Sequence, residues 1–538
     1  MSAIARRLRV VIVGFGPVGA RLCDELLPAV EAGAIDLTVI GAERHAPYNR
    51  VLLAELAVDH LDVETLTLHD TQTTSDAGVR LHLDTRVTAI DRERQIVLLA
   101  TGETVPYDRL VLATGARANI PTLSGVVRQS YDVGSLARSG QDVMGSDPSL
   151  PRGVTVLRDL GDAERVRAAV QARARIVVLG AGVLGLEFAL LAAKAGASVT
   201  VLHNGPTPMP RNLDRGAGVL LSRALGTAGV SVHAHSRAEA VAFRTADDGV
   251  HEFDALVTAE GAYVRGDLLV LSCGVGARVE LAAIAGLRTA AGVVVDEHLR
   301  CWDDERISAI GDCAHVVERT AETETMARLP GMPSGLIGPG WRQAEWLARR
   351  LRAEAQSLEP PAPLPIEKSA VVMLKSDDID VVATGDVDID LWDAPFSEDG
   401  TGRQIAQWAD PQHGRYLKLV SANGVIEGFA CVGMPRTGAE LTLLHDRRGE
   451  LPADRSLLLR MDAAGEDAFA VADAFAPTAT ICDCNGVAVQ RIRESITDGN
   501  DTIARLGQDT RAGTGCGGCK PRLAELIERF ASSAEVTS

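Results

Sequence analysis

Four cysteines near the C-terminal end have the spacing of a metal-binding set. Cys482 and Cys484 are separated by one residue, Cys516 and Cys519 by two, and residues 485–515 lie between the pairs. Two close pairs of thiolates can surround a metal centre, because thiolate sulfur is a strong ligand for iron and zinc. Zinc ribbons usually carry two CxxC pairs, so the CxC pair makes structural zinc the less favoured interpretation. The pattern predicts a thiolate-bound metal centre, with free thiols as a further alternative.

A glycine-rich turn at the N-terminal end has the pattern of a dinucleotide site. Gly14 permits a tight turn after an apolar strand, Gly16 lets the backbone approach a pyrophosphate, and Gly19 lets the next helix pack closely on the strand. The helix directs unpaired N–H groups and the positive end of its dipole at phosphates. Glu43 ends the second strand, where a carboxylate can accept hydrogen bonds from ribose hydroxyls. A plain tight turn in an α/β domain is the alternative.

A second turn of the same kind lies further along the chain. Gly180, Gly182 and Gly185 stand between an apolar strand and a helix, so a second dinucleotide site is predicted. The second strand of this unit ends at His203, where the acid expected for an NAD ribose is missing. The nearest arginine that could pair with a 2′-phosphate is Arg211. NADH and NADPH therefore both remain open, and His203 is either a ribose contact or a surface histidine at a strand end.

These turns need alternating strands and helices to position them. A strand–turn–helix–strand unit opens the chain, a second begins at residue 175, and strands are predicted over 86–115. The chain has 52 glycines and only 19 aromatic residues, which suits an α/β protein with tight strand-to-helix turns. Its 538 residues are too many for one compact core. We expect an α/β protein of several domains, with loops predicted over 139–153 and 357–368.

Charge and cysteine usage argue against several classes of protein. The formal net charge is −18, which argues against general nucleic-acid binding and against docking on an anionic membrane. The most apolar stretch, residues 176–193, contains Glu187 and three glycines, so no transmembrane segment is expected. The N-terminal apolar run is interpreted as a strand and not as an export signal. Nine cysteines, five of them scattered, do not form a disulfide framework, so a cytoplasmic protein is expected. The scattered five are expected to be small buried residues.

Two dinucleotide patterns in one chain resemble the two-dinucleotide-binding-domain flavoprotein reductases. Further matching pieces are Ala113-Thr114-Gly115 after an apolar strand and Gly311-Asp312-Cys313-Ala314 after RISAI. The resemblance extends over roughly residues 8–350 and implies FAD at the first glycine turn and NADH or NADPH at the second. It also implies that Asp312 binds the ribityl chain of the flavin and that Ala113, Thr114 and Gly115 lie near the FAD.

The resemblance also implies the arrangement of the domains. The FAD-binding Rossmann-like domain is expected to consist of residues 1–119 and 269–356, with an NAD(P)-binding Rossmann-like domain of residues 120–268 inserted between its two parts. A small α+β interface domain is expected over 366–475, with a hairpin turn at Asn423-Gly424. The acidic stretch 371–410 within it is either a docking face for a basic partner or an ordinary solvated face.

The segment Tyr48-Asn49-Arg50 resembles that of NAD(P)H-dependent nitrite reductase large subunits and their electron-transfer relatives. This likeness implies that Arg50 lies near the flavin pyrophosphate or ring and that Asn49 belongs to the cofactor site. Gly338-Pro339-Gly340-Trp341, with Gln343, resembles a helix end that approaches the flavin in those proteins. Glu187 matches the acidic position beside the nicotinamide–flavin contact; a helix acid favoured by the dipole is the alternative. Residues 47–53 contain no cysteine, which disfavours a disulfide reductase.

The cysteine-bearing end, ICDCNGV…AGTGCGGCKP, resembles the bacterioferritin-associated-ferredoxin type of 2Fe–2S domain. The likeness covers about residues 480–530 and implies that the four cysteines hold a 2Fe–2S cluster. We expect a mainly helical module over 480–538 whose last helix begins at Pro521, where its dipole would favour a negatively charged cluster.

These parts together imply a chain of redox centres. Hydride passes from the nicotinamide to FAD, and a 2Fe–2S cluster carries single electrons. We expect Arg50 and Glu187 to shape the surroundings of the flavin, with no acid–base pair or covalent nucleophile required. The family likeness indicates an electron-transfer subunit that feeds a separate assimilatory nitrate or nitrite reductase catalytic subunit.

One observation bears on that interpretation, and two alternatives to it remain. The chain ends soon after the cluster module, so we expect that it does not reduce nitrite by itself. One alternative is a stand-alone reductase for a ferredoxin or rubredoxin, or an NADH oxidase; another is a non-catalytic iron–sulfur docking or iron-handling module. The sequence is compatible with a homo-oligomer.

Overall fold

A computed structural model describes most of the chain and confirms the predicted α/β class. Parts of several predicted features lie outside the described residues: the loops over 139–153 and 357–368, the acidic stretch 371–410, and the start of the interface domain at 366. The described residues are 7–126, 150–326, 328–365, 370–374, 376, 379–392, 402–452, 454–462, 476–482 and 484–534.

The first glycine turn connects a central strand to a long helix. Strand β1 ends in a run of four apolar residues that are all buried, as a strand covered on both faces requires. It pairs in parallel with β2 on one side and β7 on the other. Helix α1 begins at Pro17, whose fixed φ suits a first helical position. The elements of this part are β1 Leu8–Val13, α1 Pro17–Glu31, β2 Ile35–Ile40, a 3₁₀ turn Arg50–Leu52, α2 Leu53–Ala57, α3 Val63–Leu66, α4 Thr71–Asp76, β3 Arg80–His82, β4 Val87–Asp91, β5 Ile96–Leu99, β6 Thr104–Pro106, β7 Arg109–Leu112 and β8 Ala116–Ala118.

A second parallel sheet follows, in the order β12-β11-β10-β16-β9. The second glycine turn lies between β10 and α6, in the same place within its sheet as the first turn. Strands β13, β14 and β15 form a separate antiparallel sheet beside it. The elements are β9 Val154–Thr155, α5 Leu160–Gln171, β10 Arg175–Leu179, α6 Val183–Lys194, β11 Ser198–Leu202, α7 Arg215–Thr227, β12 Val230–His233, β13 Ala238–Thr245, β14 His251–Thr258, β15 Tyr263–Arg265 and β16 Leu268–Leu271.

The chain then returns to the first sheet. Strand β20 pairs in parallel with β7, placing Ile307 opposite Leu110, and the complete sheet has the order β21-β18-β19-β20-β7-β1-β2-β3. The second sheet is therefore inserted within the first, as the resemblance implies. Helix α10 packs on α1. The elements are β17 Val275–Ala277, α8 Glu280–Ile284, β18 Val293–Val295, β19 Arg300–Cys301, β20 Asp304–Ala309, a 3₁₀ turn Gly311–Cys313, β21 Ala314–Val316, α9 Ala321–Thr325 and α10 Ile337–Ala355.

A five-stranded antiparallel sheet forms the third region, in the order β22-β23-β26-β25-β24. Asn423 and Gly424 have φ of +51° and +76° and form the two-residue turn that the sequence predicts. This region packs on the inserted sheet, because Lys418 and Tyr416 both bind Asp214, the residue that caps α7. The elements are β22 Val372–Leu374, β23 Val381–Thr384, β24 Arg403–Asp410, β25 Arg415–Ala422, β26 Val425–Val432, α11 Pro435–Arg447 and α12 Ser456–Leu459.

The last region is mainly helical, as predicted, and has its own small core. Its final helix begins at Lys520, one residue before the predicted start. In the part of the chain that the structure describes, no helix is long and apolar enough to cross a bilayer. The elements are β27 Thr480–Cys482, β28 Val487–Ala488, α13 Val489–Thr497, α14 Ile503–Thr510 and α15 Lys520–Ala534.

Candidate functional site

A cavity of about 1080 Å³ lies where all four regions meet. Its volume is slightly above the usual range of about 300–1,000 Å³ for protein ligand clefts. The first sheet contributes the glycine turn, and the inserted sheet contributes the start of α6. Twelve of the predicted site residues lie on its wall: Gly14, Gly16, Glu43, Arg50, Ala113, Thr114, Gly115, Glu187, Gly311, Asp312, Cys484 and Cys516.

The first glycine turn has the backbone that a bound pyrophosphate needs. Gly14 has φ of +110°, and a methyl group there would lie 2.2 Å from the Ala113 carbonyl oxygen. A methyl group on Gly19 would lie 2.1 Å from the Gly14 carbonyl oxygen, so strand and helix are in close contact. Apart from Gly16 and its own chain neighbours, no atom of the described residues lies within 4 Å of the corresponding point at Gly16. Space is thus kept at the helix N-terminus, where phosphates bind.

The second turn repeats this geometry. Gly180 has φ of +116°, and a methyl group there would lie 2.2 Å from the Ser272 carbonyl oxygen. A methyl group on Gly185 would lie 2.8 Å from the Gly180 carbonyl oxygen. A methyl group on Gly182 would have no described atom within 4 Å, apart from those of its own chain neighbours. These three glycines lie off the cavity wall, and α6 reaches the wall through Val183, Leu184 and Glu187. The second turn therefore adjoins the cavity through its helix.

Glu43 is held by the segment that follows it. Arg50 forms an ion pair with Glu43, and the Tyr48 hydroxyl donates to Glu43 Oε2 over 2.8 Å. Burial acts to raise the pKa of Glu43, but the Arg50 charge and these two hydrogen bonds lower the pKa below its usual value. Arg50 also donates to the Arg158 carbonyl oxygen over 3.0 Å. The strand itself ends at Ile40, so Glu43 lies just beyond β2 and not at its end, where the sequence predicts it. The carboxylate is ionised and oriented there, and its ribose contact stays a prediction.

Arg158 is a cavity residue that sequence reasoning missed. It comes from the inserted region, and its Nη2 donates to Asp312 Oδ2 over 2.9 Å. Its Nε also donates to the Ala116 carbonyl oxygen over 3.3 Å. Arg158 therefore crosses from one sheet to the carboxylate predicted to bind the ribityl chain. The only sequence signal is its place just before the capping box of α5 at Asp159, which does not indicate a partner 154 residues away.

Gln343 and Asn49, both predicted to bind cofactor, lie off the cavity wall. Gln343 Oε1 accepts from the Gly311 N–H over 2.7 Å, so it positions the turn that carries Asp312. The Asn49 side chain is buried, and its Nδ2 donates to the carbonyl oxygens of Thr514 and Gly515. The structure thus gives both amides a protein partner instead of a place on the wall.

His203 does not lie on the surface at its strand end. The residue is only 6% exposed, so the surface alternative is wrong. Within the described residues neither ring nitrogen has a hydrogen-bond partner. Burial lowers the pKa of His203, and the nearby His235 lowers it further. His203 is therefore a neutral histidine behind the second glycine turn, and its predicted ribose contact stays a prediction.

The four cysteines of the last region converge. Cys484 Sγ lies 3.9 Å from Cys482 Sγ and 3.6 Å from Cys516 Sγ, and it accepts from the Cys516 N–H over 3.4 Å. Hydrogen bonds with Cys484 and Cys519 lower the pKa of Cys482, which favours a thiolate. Within the described residues, no three or more His, Cys, Asp or Glu side chains are placed to hold a single metal ion. These contacts bring together thiolates of the kind that either a two-iron cluster or a zinc ion binds.

The five scattered cysteines are separate from this set. Cys23, Cys301, Cys313 and Cys431 are buried, as predicted, whereas Cys273 is half-buried. Burial raises the pKa of the Cys273 thiol to about 11, so it stays protonated near neutral pH.

Comparison with known proteins agrees with this geometry. Residues 8–328 match the pyridine nucleotide-disulphide oxidoreductase family, and residues 480–529 match the BFD-like [2Fe-2S] binding domain. A nitrite reductase [NAD(P)H] of Bacillus subtilis is 27% identical over 98% of this chain and 58% of its own length. An assimilatory nitrate reductase electron transfer subunit of the same organism is 25% identical over 99% of this chain and 61% of its own length.

A solved ferredoxin reductase from Rhodopseudomonas palustris is 26% identical, with a TM-score of 0.60, over 79% of this chain and 91% of its own. The chain spans about three fifths of the length of each of the two Bacillus relatives. The matches make the chain an FAD-dependent NAD(P)H oxidoreductase with a 2Fe–2S cluster. Structural zinc, free thiols and a non-catalytic module are therefore wrong interpretations. The chain belongs to the pyridine nucleotide-disulphide oxidoreductase family and carries a BFD-like [2Fe-2S] binding domain after it.

Proposed function

We propose that this chain oxidises NAD(P)H and passes the electrons through FAD and the 2Fe–2S cluster to a separate assimilatory nitrate or nitrite reductase catalytic subunit. The Bacillus relative that matches over 99% of this chain is named an assimilatory nitrate reductase electron transfer subunit. That name supports the proposed identity of the acceptor. The nitrite reductase relative supports the same class of acceptor.

One observation carries the proposed route of the electrons. Cys484 and Cys516 lie on the wall of the same cavity as the first glycine turn and Glu187. The first dinucleotide turn and two of the cluster cysteines therefore share one cavity, although more than 460 residues separate Gly14 from Cys484. A cluster at these cysteines would lie beside a flavin bound in the cavity, which short-range electron transfer requires.

Different residues around the cavity would bind the cofactors and orient them. When bound, FAD supplies the conversion of one hydride into two single electrons, which the cluster carries onward. Gly16 at the start of α1 would bind the FAD pyrophosphate, and Asp312 the ribityl chain. Glu187, buried on α6, would orient the nicotinamide against the flavin. Arg50 would place a positive charge near the flavin pyrophosphate or ring.

The proposal is tested with the purified, FAD- and cluster-loaded protein. We expect NAD(P)H to drive reduction of a purified nitrate or nitrite reductase catalytic subunit, and Cys484→Ser to abolish it while NAD(P)H still bleaches the flavin absorbance. Cys273→Ser is the matched control, since a serine there can also donate to the Leu179 carbonyl oxygen.

Two results would overturn it. If Cys484→Ser reduces the catalytic subunit at the wild-type rate, the electrons do not leave through the cluster. If only a small ferredoxin or rubredoxin is reduced, the chain is a stand-alone reductase. Isolation from nitrate-grown cells gives a second test, because the proposed catalytic subunit should co-purify.

A further inference from the structure

The cluster loop, residues 511–519, is attached directly to the segment that borders the flavin cavity. Asn49 Nδ2 donates to the Gly515 carbonyl oxygen over 2.6 Å and to the Thr514 carbonyl oxygen over 3.1 Å. Asn49 Oδ1 accepts from the Val51 N–H over 3.0 Å. Asn49 is 1% exposed, so these hydrogen bonds are sheltered from water. One amide thus joins the residue before Arg50 to the residue before Cys516.

A second contact, with Trp341, restrains the same loop. A methyl group on Gly515 would lie 2.7 Å from Cys484 Sγ and 2.9 Å from Cζ3 of Trp341. Trp341 belongs to α10 of the first sheet region, and its indole N–H donates to the Pro17 carbonyl oxygen over 3.1 Å at the first glycine turn. Gly515 therefore fits between a cluster sulfur and a ring that is fixed to the dinucleotide turn.

The rim of this contact is ionic and more exposed. Arg511 Nη1 lies 3.0 Å from Glu25 Oε1 on α1, and Arg21 pairs with both Glu25 and Glu345. The Arg21 guanidinium also lies 5.7 Å from the ring centroid of Trp341. Exposed ion pairs contribute little, so we assign the placement of the loop to the buried amide and not to this rim.

We propose that Asn49 is a positioning residue that fixes the cluster loop against the flavin cavity and so sets the rate of electron transfer from flavin to cluster. This inference rests on the proposed function. The two electrons that one NAD(P)H delivers with its hydride leave one at a time through the cluster, and the proton goes to water. Asn49 touches neither reacting group; it acts through the backbone of Thr514 and Gly515.

The test uses Asn49→Asp in the fully loaded protein. Aspartate keeps the acceptor for the Val51 N–H but cannot donate to the two carbonyl oxygens. We expect the rate of flavin reduction by NAD(P)H to be unchanged in stopped flow, and the following reduction of the cluster to slow about tenfold or more, since small misplacements of reacting groups are costly. Hydrogen exchange should rise in residues 511–519, while the reduced cluster keeps its EPR signal and its midpoint potential.

Glu25→Gln is the matched control, because it removes only the two rim ion pairs of Glu25, with Arg511 and with Arg21. Both rates should stay within about twofold. A wild-type rate of cluster reduction in Asn49→Asp, with the loop exchange raised, overturns the inference. A changed midpoint potential also overturns it, because Asn49 would then tune the cluster instead of placing it.

Asn49→Ala covers the case in which the new carboxylate prevents cluster insertion. If it holds the cluster and slows its reduction, the inference stands; if both variants lose the cluster, Asn49 is an assembly residue and the inference fails. Failure of the proposed function looks different, since NAD(P)H would then not reduce the wild-type cluster at all.

Discussion

The two glycine turns are nearly the same local structure placed in two different surroundings. Gly14 and Gly180 both have φ above +100°, and a methyl group on either would lie 2.2 Å from a carbonyl oxygen of the neighbouring strand. Gly16 and Gly182 both leave a helix N-terminus accessible. The two glycine sequences therefore form the same strand–turn–helix geometry at both positions.

The turns differ in what lies beyond them. The first opens into the large cavity, and Glu43 just beyond the end of its second strand is ionised and held by Arg50 and Tyr48. The second lies off the wall, and His203 at the equivalent strand end is buried and neutral. A dinucleotide turn is thus a local property, whereas which dinucleotide it serves depends on the neighbouring elements.

The largest effects should come where the turns are alike. Gly14→Ala and Gly180→Ala each force a methyl group into a strand carbonyl at positive φ. We expect each to lower the free energy of unfolding of its region by about 3 kcal/mol or more. Urea unfolding followed by circular dichroism measures this. If both variants lose only a little free energy of unfolding, the two turns can relax around a methyl group. Their common geometry then does not require glycine.

The next prediction separates the two turns. Gly16→Ala and Gly182→Ala add a methyl group where the described protein has space, so both should fold. We expect Gly16→Ala to be purified with little FAD, because the methyl group blocks the approach of the pyrophosphate. Gly182→Ala should keep its FAD and raise the KM for NAD(P)H about tenfold or more. Flavin content and steady-state kinetics measure these; loss of FAD from Gly182→Ala would reverse the assignment of the two sites.

Glu187 tests whether the second turn serves the cavity through its helix. We expect Glu187→Gln to keep its FAD and to slow flavin reduction by NAD(P)H about tenfold, or about 1.4 kcal/mol in the barrier. Stopped-flow absorbance at saturating NAD(P)H gives the rate. An unchanged rate would leave Glu187 as a helix acid favoured by the dipole, with no part in the reaction.

The smallest expected effect is on the pH dependence of stability, through His203 and Glu43. The pKa of His203 is lowered, so its contribution to stability is present above 6.5 and is lost as pH falls through the folded pKa. The pKa of Glu43 is also lowered, so its contribution is lost only below 4.5. His203→Leu should therefore reduce the fall in stability just below pH 6.5, and Glu43→Gln should not. Urea midpoints measured from pH 8 to pH 5 compare them; identical profiles for His203→Leu and the wild type would mean that the histidine can be protonated where it lies.

The sequence predicted the nested α/β architecture and twelve residues of the cavity wall. The glycine turns, Asp312 and the four cysteines were found because each is marked by a local pattern. Arg158 was missed, and Asn49 was predicted to bind the cofactor, because their partners lie 154 and 466 residues away in the chain. The spacing of residues within a short motif does not predict contacts between such distant parts of the chain.

Sequence alone determined the features that backbone sterics and ligand chemistry impose within a short segment. Those features are two turns that only glycine can form and four thiolates spaced for a cluster. Tertiary structure alone decided that the cluster cysteines and the first turn share one cavity, that Asn49 joins them, and that His203 is buried. The physical reason is that burial and long-range hydrogen bonds arise only when separate elements pack, and no local pattern encodes that packing.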